Sequence, residues 1–191
     1  MAVLLGILKR EVILNRTICR IIGVSVFAIL TMLGAFIRIP LPFTPVPITL
    51  QTFFVLLSGL FLGQNLGGIA QLSYVLLGIT GLPVFTGTGN GISYLLGPTG
   101  GYLFGFIAAS FYVGRFTRYT KDNFFSVIAV LLGGDIILLC CGTVWLKFIT
   151  GFPSAKLLFI GFLPFVPGDV LKIFVAAALY LRLKSRLKEI W

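Results

Sequence analysis

The chain has 191 residues, of which 58% are hydrophobic and 10% charged, and its mean hydropathy is +1.09. A soluble domain carries about 45–50% apolar and about 25% charged residues, so this chain lacks the polar atoms needed to cover a water-facing surface. Its net charge of +10 does not mark a nucleic-acid binder, because the 76 residues from Ile39 through Gly114 hold no Asp, Glu, Lys or Arg, and the basic residues gather at a few flanking positions.

The composition implies an all-α integral membrane protein. A transmembrane helix takes roughly 20 residues, which allows six spans with short loops in one membrane domain over residues 1–191. Residues 1–19 are expected to lie at the membrane surface, with Lys9, Arg10 and Arg16 around an apolar stretch. The first helix is expected over 20–37 and is read as a retained span rather than a signal peptide, because the run from Ile21 to Ile37 is long and no A-x-A site follows. It ends where Pro40, Pro42, Pro45 and Pro47 each remove a backbone donor and disfavour helix in the residue before. Helix 2 is expected over 48–63, a tight turn at Gln64-Asn65, and helix 3 over 66–82, stopping at Gly81-Leu-Pro83. Residues 84–98 contain Gly87, Gly89, Gly91 and Gly97, too glycine-rich for a helix and too apolar for a solvated loop, so they are expected to fold back over the protein. Helices 4, 5 and 6 are expected over 99–114, 124–146 and 157–182, the last broken near Pro164 and Pro167, and residues 183–191 form a basic tail.

Charge gives the orientation. With both termini cytoplasmic, six spans place eleven basic residues inside: Lys9, Arg10, Arg16, Arg20, Arg115, Arg118, Lys121, Arg182, Lys184, Arg186 and Lys188. Three, Arg38, Lys147 and Lys156, lie outside, and Lys172 falls within the last span. That imbalance obeys the positive-inside rule and points to a multi-pass protein of the cytoplasmic membrane. The proline loop and the glycine-rich segment then share the outer face. No internal repeat is visible, which argues against a transporter built on inverted repeats.

Enzymatic constellations are poor. There is no Gly-x-x-x-x-Gly-Lys-Ser/Thr, so the chain is not its own P-loop ATPase, and Gly97-Pro-Thr-Gly-Gly101 has neither a following lysine nor a preceding strand. With no histidine and no CxxC the usual zinc sets are missing, and Cys19, Cys140 and Cys141 suggest no disulfide framework. No cofactor or metal is expected. Of the five acidic residues, Glu11, Asp122 and Glu189 sit beside basic clusters, leaving Asp135 and Asp169 inside spans. A charge there costs roughly 2.5–3.5 kcal/mol on insertion scales, which makes both functional candidates. Asp169 and Lys172 are three apart, on one face of a helix entered through Pro167-Gly168. The pair either lets both charges insert or admits a polar ligand, Lys172 taking an anionic group and Asp169 accepting from ligand N–H donors. Asp135 has no charged neighbour in sequence, leaving pairing with Lys172 or protonation open. Thr49, Gln51, Asn90, Tyr94 and Thr99 fall on the same outer side as the start of helix 6. Each alone also serves to stitch helices together.

Four ordered motifs, Pro45-Val-Pro-Ile-Thr-Leu-Gln51, Gly81-Leu-Pro-Val-Phe85, Leu96-Gly-Pro-Thr-Gly-Gly-Tyr102, and Leu163-Pro-Phe-Val-Pro-Gly-Asp169 with Lys172, resemble those of the BioY family over about residues 20–182. These are the biotin-specific S-components of energy-coupling factor (ECF) transporters. The resemblance implies a six-helix protein that binds biotin on its outer side and works with a transmembrane coupling subunit and ATPase subunits, not an enzyme. It places the family's Asp and Lys on Asp169 and Lys172 and the polar contact of the glycine-rich stretch on Asn90. Gln51 joins them, and Phe43, Phe53, Phe85 and Tyr94 are candidate aromatic walls for the bicyclic head and apolar tail of biotin. The small-x-x-x-small pattern that docks the coupling subunit is imperfect here: Ala28 is present, but Val24 and Met32 stand four residues away, leaving Ser25, Ala28 and Ala35 as docking candidates. Two alternatives stay open at the level of sequence: an S-component for another vitamin, and an intramembrane enzyme or assembly factor using Asp135, Asp169 and Lys172.

Overall fold

A computed structural model describes residues 16–120 and 123–187. Residues 1–15, with Glu11, and Asp122 and Glu189 lie outside the described residues. The described chain is almost entirely helical: α1 (Arg16–Phe36), α2 (Gln51–Ile79), the short α3 (Gly91–Leu95), α4 (Gly100–Phe116), α5 (Phe124–Thr150), α6 (Ser154–Gly161) and α7 (Val166–Leu187). The apolar run of α1 therefore starts at Arg16, so residues 16–19 belong to the first helix rather than to a surface segment.

Between α1 and α2 the prolines permit only a two-residue ribbon, β1 (Arg38–Ile39) against β2 (Ile48–Thr49), with Arg38 opposite Thr49. The Leu50 N–H donates to Ile37 O at 3.0 Å and closes the loop onto the end of α1. Element α2 is a helical hairpin. Gln51 Nε2 donates to Tyr74 OH at 2.6 Å, and Gln71 Nε2 to Ser58 Oγ at 2.9 Å. A straight helix would hold Gln51 and Tyr74 about 34 Å apart. The reversal is at Gly63, whose φ of 77° and ψ of −178° break the helix in a conformation few residues other than glycine adopt. The expected turn thus forms one residue earlier than Gln64-Asn65, and the arms 51–62 and 64–79 replace the two expected helices.

The helix α4 packs between both arms of α2 and α5. Its contact with α5 is backbone-close at Gly101, where a Cβ would fall 2.1 Å from Trp145 Cβ and 2.7 Å from Cys141 O. Asn123 caps α5 by accepting from Ser126 N at 2.7 Å, and Gly151, at φ 66°, ends it four residues later than expected. The expected break in helix 6 is a 47° bend between α6 and α7. Pro164 stands in the break and Pro167 in the first turn of α7, where its missing N–H costs nothing.

Among the described residues α1 and α5 are each long and apolar enough to cross a membrane, α2 reaches that length only as its two arms together, and α6 with α7 passes the same test as a bent pair. Exposed residues on these helices are apolar, as Ile29 and Leu33 on α1 and Val175 on α7 illustrate. The buried core has two main layers. One is built around Tyr74, Phe85, Phe106 and Leu139, the other around Leu56, Val113, Leu131 and Ile173. The first layer lies under the proline loop, residues 80–99 and the start of α7, and it floors the candidate site.

Candidate ligand-binding site

The first turn of α7 is set by its surroundings. Tyr102 OH donates to Gly161 O at 2.6 Å, and Thr143 Oγ1 donates to the same carbonyl at 3.1 Å, so α4 and α5 hold the end of α6. Asp169 N then donates to Phe165 O at 2.9 Å, which turns Asp169 inward at 2% exposure. Lys172 Nζ lies 2.8 Å from Asp169 Oδ1, 2.9 Å from Thr52 Oγ1 and 2.7 Å from Thr49 O. An ammonium has three protons, and all three are matched. Thr52 Oγ1 also donates to Asp169 Oδ1 at 3.0 Å. The other carboxylate oxygen, Asp169 Oδ2, is buried with no hydrogen-bond partner among the described residues. Such an acceptor costs free energy until a donor reaches it.

A second polar group faces this one. Gln51 Oε1 accepts from Thr86 Oγ1 at 3.2 Å and Thr49 Oγ1 at 3.3 Å, while its Nε2 holds Tyr74 OH, which donates on to Val84 O at 3.2 Å. Tyr94 OH donates to Thr86 O at 3.2 Å, and its ring stacks on Phe85 at 5.0 Å. The groups line a cavity of about 490 Å³ counting its open mouth, with Asp169, Lys172, Thr52, Gln51, Thr86 and Tyr94 on its polar side and Leu103, Phe106, Leu138 and Phe165 on its apolar side. The cavity shares Pro47, Thr86, Tyr94 and Thr99 with an adjoining space of about 680 Å³ that opens past Arg38.

The sequence candidates separate cleanly. Asp169, Lys172, Gln51, Tyr94, Thr49 and Thr99 come together on the cavity wall. Asn90 does not line it; its side chain is exposed and donates to Thr88 O at 3.4 Å. Phe43 is 57% exposed in the proline loop, Phe53 packs edge-on against Phe54, and Phe85 is wholly buried behind Tyr94. Asp135 is buried on α5, close enough to interact electrostatically with Asp169 and Lys172, but it does not line the cavity, and its Oδ1 has no hydrogen-bond partner among the described residues. Of the docking candidates, Ser25 is exposed, whereas Ala28 and Ala35 are buried. Sequence reasoning missed Thr52, Thr86, Tyr74 and Tyr102. Thr52 stands one residue after the singled-out Gln51 and three after Thr49, the only signal that a second hydroxyl served the same face.

The site brings together one ion pair, one side-chain amide and several hydroxyls above an apolar floor. No group of three His, Cys, Asp or Glu side chains able to hold a metal occurs among the described residues.

Comparison with known proteins places the chain. The BioY family model matches residues 9–189. The chain is 44% identical to the biotin transporter BioY of Thermotoga maritima, across 87% of this chain and 96% of that one. It is 40% identical to a probable biotin transporter BioY of Pyrococcus horikoshii, across 85% and 94%. A crystal structure of the S-component for biotin from an ECF-type ABC transporter superposes with a TM-score of 0.84 at 30% identity, covering 90% of this chain and 94% of that one. Matched over nearly its whole length in sequence and in fold, this all-α, multi-pass membrane protein belongs to the BioY family.

Proposed function

We propose that this chain binds biotin in the cavity at the start of α7 and acts as the substrate-binding subunit of an ECF-type transporter in the cytoplasmic membrane. The observation that carries the reading is Asp169 Oδ2, a buried carboxylate oxygen on the cavity wall without a donor. Biotin's ureido ring presents two N–H donors, and a carboxylate accepts them strongly where water is excluded. Lys172 and Thr52 hold the other oxygen, so the acceptor is aimed before the ligand arrives. Gln51 and Tyr94 complete the polar side, and Leu103, Phe106 and Phe165 suit the thioether ring and aliphatic tail. Lys172 meets a ligand carboxylate only by releasing one of its three acceptors, so its first role is to balance Asp169. Asn90 and Phe43 stand on the two loops beside the cavity, outside its lining.

The transporter family favours this reading over an enzyme using Asp135, Asp169 and Lys172. We place both termini in the cytoplasm with six crossings, on the ratio of eleven inner to three outer basic residues. Uptake then draws its energy from partner ATPase subunits, since this sequence has no nucleotide-binding loop. The coupling subunit docks on the exposed face of α1 that carries Ser25, with Ile22 and Ile29 beside it. Ala28 and Ala35, on the adjacent face, are buried against the protein. Calorimetric titration of the purified protein tests ligand identity. Saturable binding of biotin without turnover, and none of thiamine or riboflavin, is expected. Binding of another vitamin in place of biotin would overturn the assignment.

A further inference from the structure

The end of the bundle remote from the candidate site carries a second hollow, of about 1250 Å³ counting its open mouth. Its walls come from three elements: Leu60, Phe61, Leu62 and Gly63 at the α2 reversal, Gly114, Thr117, Arg118 and Thr120 at the end of α4, and Tyr180 and Lys184 on α7. The construction is amphipathic. Phe61 and Tyr180 pack ring to ring at 5.5 Å and form an aromatic wall, and the ammonium of Lys184 stands over the Tyr180 ring at 5.4 Å. Arg118 lies against the bare backbone of the turn, where a Cβ on Gly63 would come within 3.4 Å of its guanidinium. That guanidinium is exposed and forms no hydrogen bond or ion pair among the described residues. The flanking segments 115–122 and 182–189 hold seven basic residues, Arg115, Arg118, Lys121, Arg182, Lys184, Arg186 and Lys188, against the two acidic residues Asp122 and Glu189.

From this arrangement we infer that the hollow binds the phosphate headgroup of an anionic phospholipid. Apolar walls beside a cationic rim, at the level where basic residues gather outside the apolar spans, match a phosphodiester with an acyl chain below it. The hydroxyls decide between a lipid and a free phosphate ester. Thr117 Oγ1 donates to Val113 O at 2.6 Å and Thr120 Oγ1 to Thr117 O at 2.9 Å, so neither hydroxyl proton is left for an anion. Recognition rests on the two cations alone, too little to hold a small phosphate in water, and the acyl chain supplies the remaining affinity. Arg118 acts as a charge rather than as a fork, so lysine substitutes for it.

The test is native mass spectrometry of the full-length protein with phosphatidylglycerol and phosphatidylcholine at equal concentration, at low and high salt. Wild type is expected to retain phosphatidylglycerol preferentially, less so as salt rises. The pair Arg118→Gln and Lys184→Gln should lower that preference roughly 30-fold, the product of two juxtamembrane cations. Arg118→Lys should keep it. Biotin titration and thermal unfolding of each variant confirm folding, and the outcome is independent of the ligand at the other end. Equal retention of the two lipids, a preference that survives the double substitution, or competition by glycerol 3-phosphate as effective as by phosphatidylglycerol would overturn the inference.

Discussion

Replacing Asp169 by asparagine separates the two jobs of this carboxylate. In the native site Oδ1 accepts from Lys172 and Thr52 at 2.8 and 3.0 Å, and Oδ2 waits unpartnered. An asparagine that keeps its oxygen toward Lys172 turns its NH₂ toward the cavity, so a donor stands where the ureido N–H groups need an acceptor. The loss of one charge-assisted hydrogen bond is about 1.5–3 kcal/mol, or roughly 10- to 150-fold in affinity, and opposing two donors pushes the effect toward the upper end. Asp169→Asn also leaves Lys172, whose side chain is 12% exposed, without its counter-ion. Breaking a buried pair in this way destabilises by about 3–5 kcal/mol. The double variant Asp169→Asn, Lys172→Met removes both charges and is expected to unfold close to the wild-type temperature, since apolar replacement of a whole buried pair is often neutral or stabilising. It should still fail to bind. Thermal unfolding and calorimetric titration in detergent are the assays. A folded double variant that binds biotin within about threefold of wild type, less than 1 kcal/mol, would refute the role of Asp169.

Thr52→Val removes a donor to Asp169 and an acceptor from Lys172, and biotin affinity should fall by about 0.5–1.5 kcal/mol, roughly 2- to 12-fold in the same titration. Gly78→Ala puts a Cβ 2.0 Å from the wholly buried ring of Phe85, behind Tyr94, so the melting temperature should drop with a loss of about 1–3 kcal/mol. On a cysteine-free background, a cysteine at Ser154 should react with an impermeant thiol reagent in intact cells and one at Arg118 should not; the reverse pattern would invert the orientation.

Much of this fold was legible because membrane helices are written in long apolar runs and punctuated by proline and glycine. The proline loop, the α2 hairpin and the broken last helix all follow from such punctuation. The turn formed at Gly63 rather than at Gln64-Asn65 because polarity marks a turn's neighbourhood, while a positive φ selects the residue that makes it. The ion pair was legible from its i,i+3 spacing. Its supporting hydroxyl was not, since a threonine inside an apolar helix also bonds its own backbone, as Thr31 does to Phe27 O. Direction was the other thing missing. Ala28, Ala35 and Ser25 are all small residues, yet only the rotation of α1 against α2 buries the first two and exposes the third. Likewise Tyr74 and Tyr102 are core residues whose hydroxyls reach Val84 O and Gly161 O and thereby fix the segments that shape the cavity, a role that nothing in their sequence positions marks.

The most direct test is a structure of the protein with biotin bound. The account predicts a ureido nitrogen about 2.7–3.2 Å from Asp169 Oδ2, within hydrogen-bond range, with Lys172 and Thr52 still holding Oδ1. A bound biotin whose ureido ring lies elsewhere, leaving Asp169 Oδ2 without a donor, would contradict it.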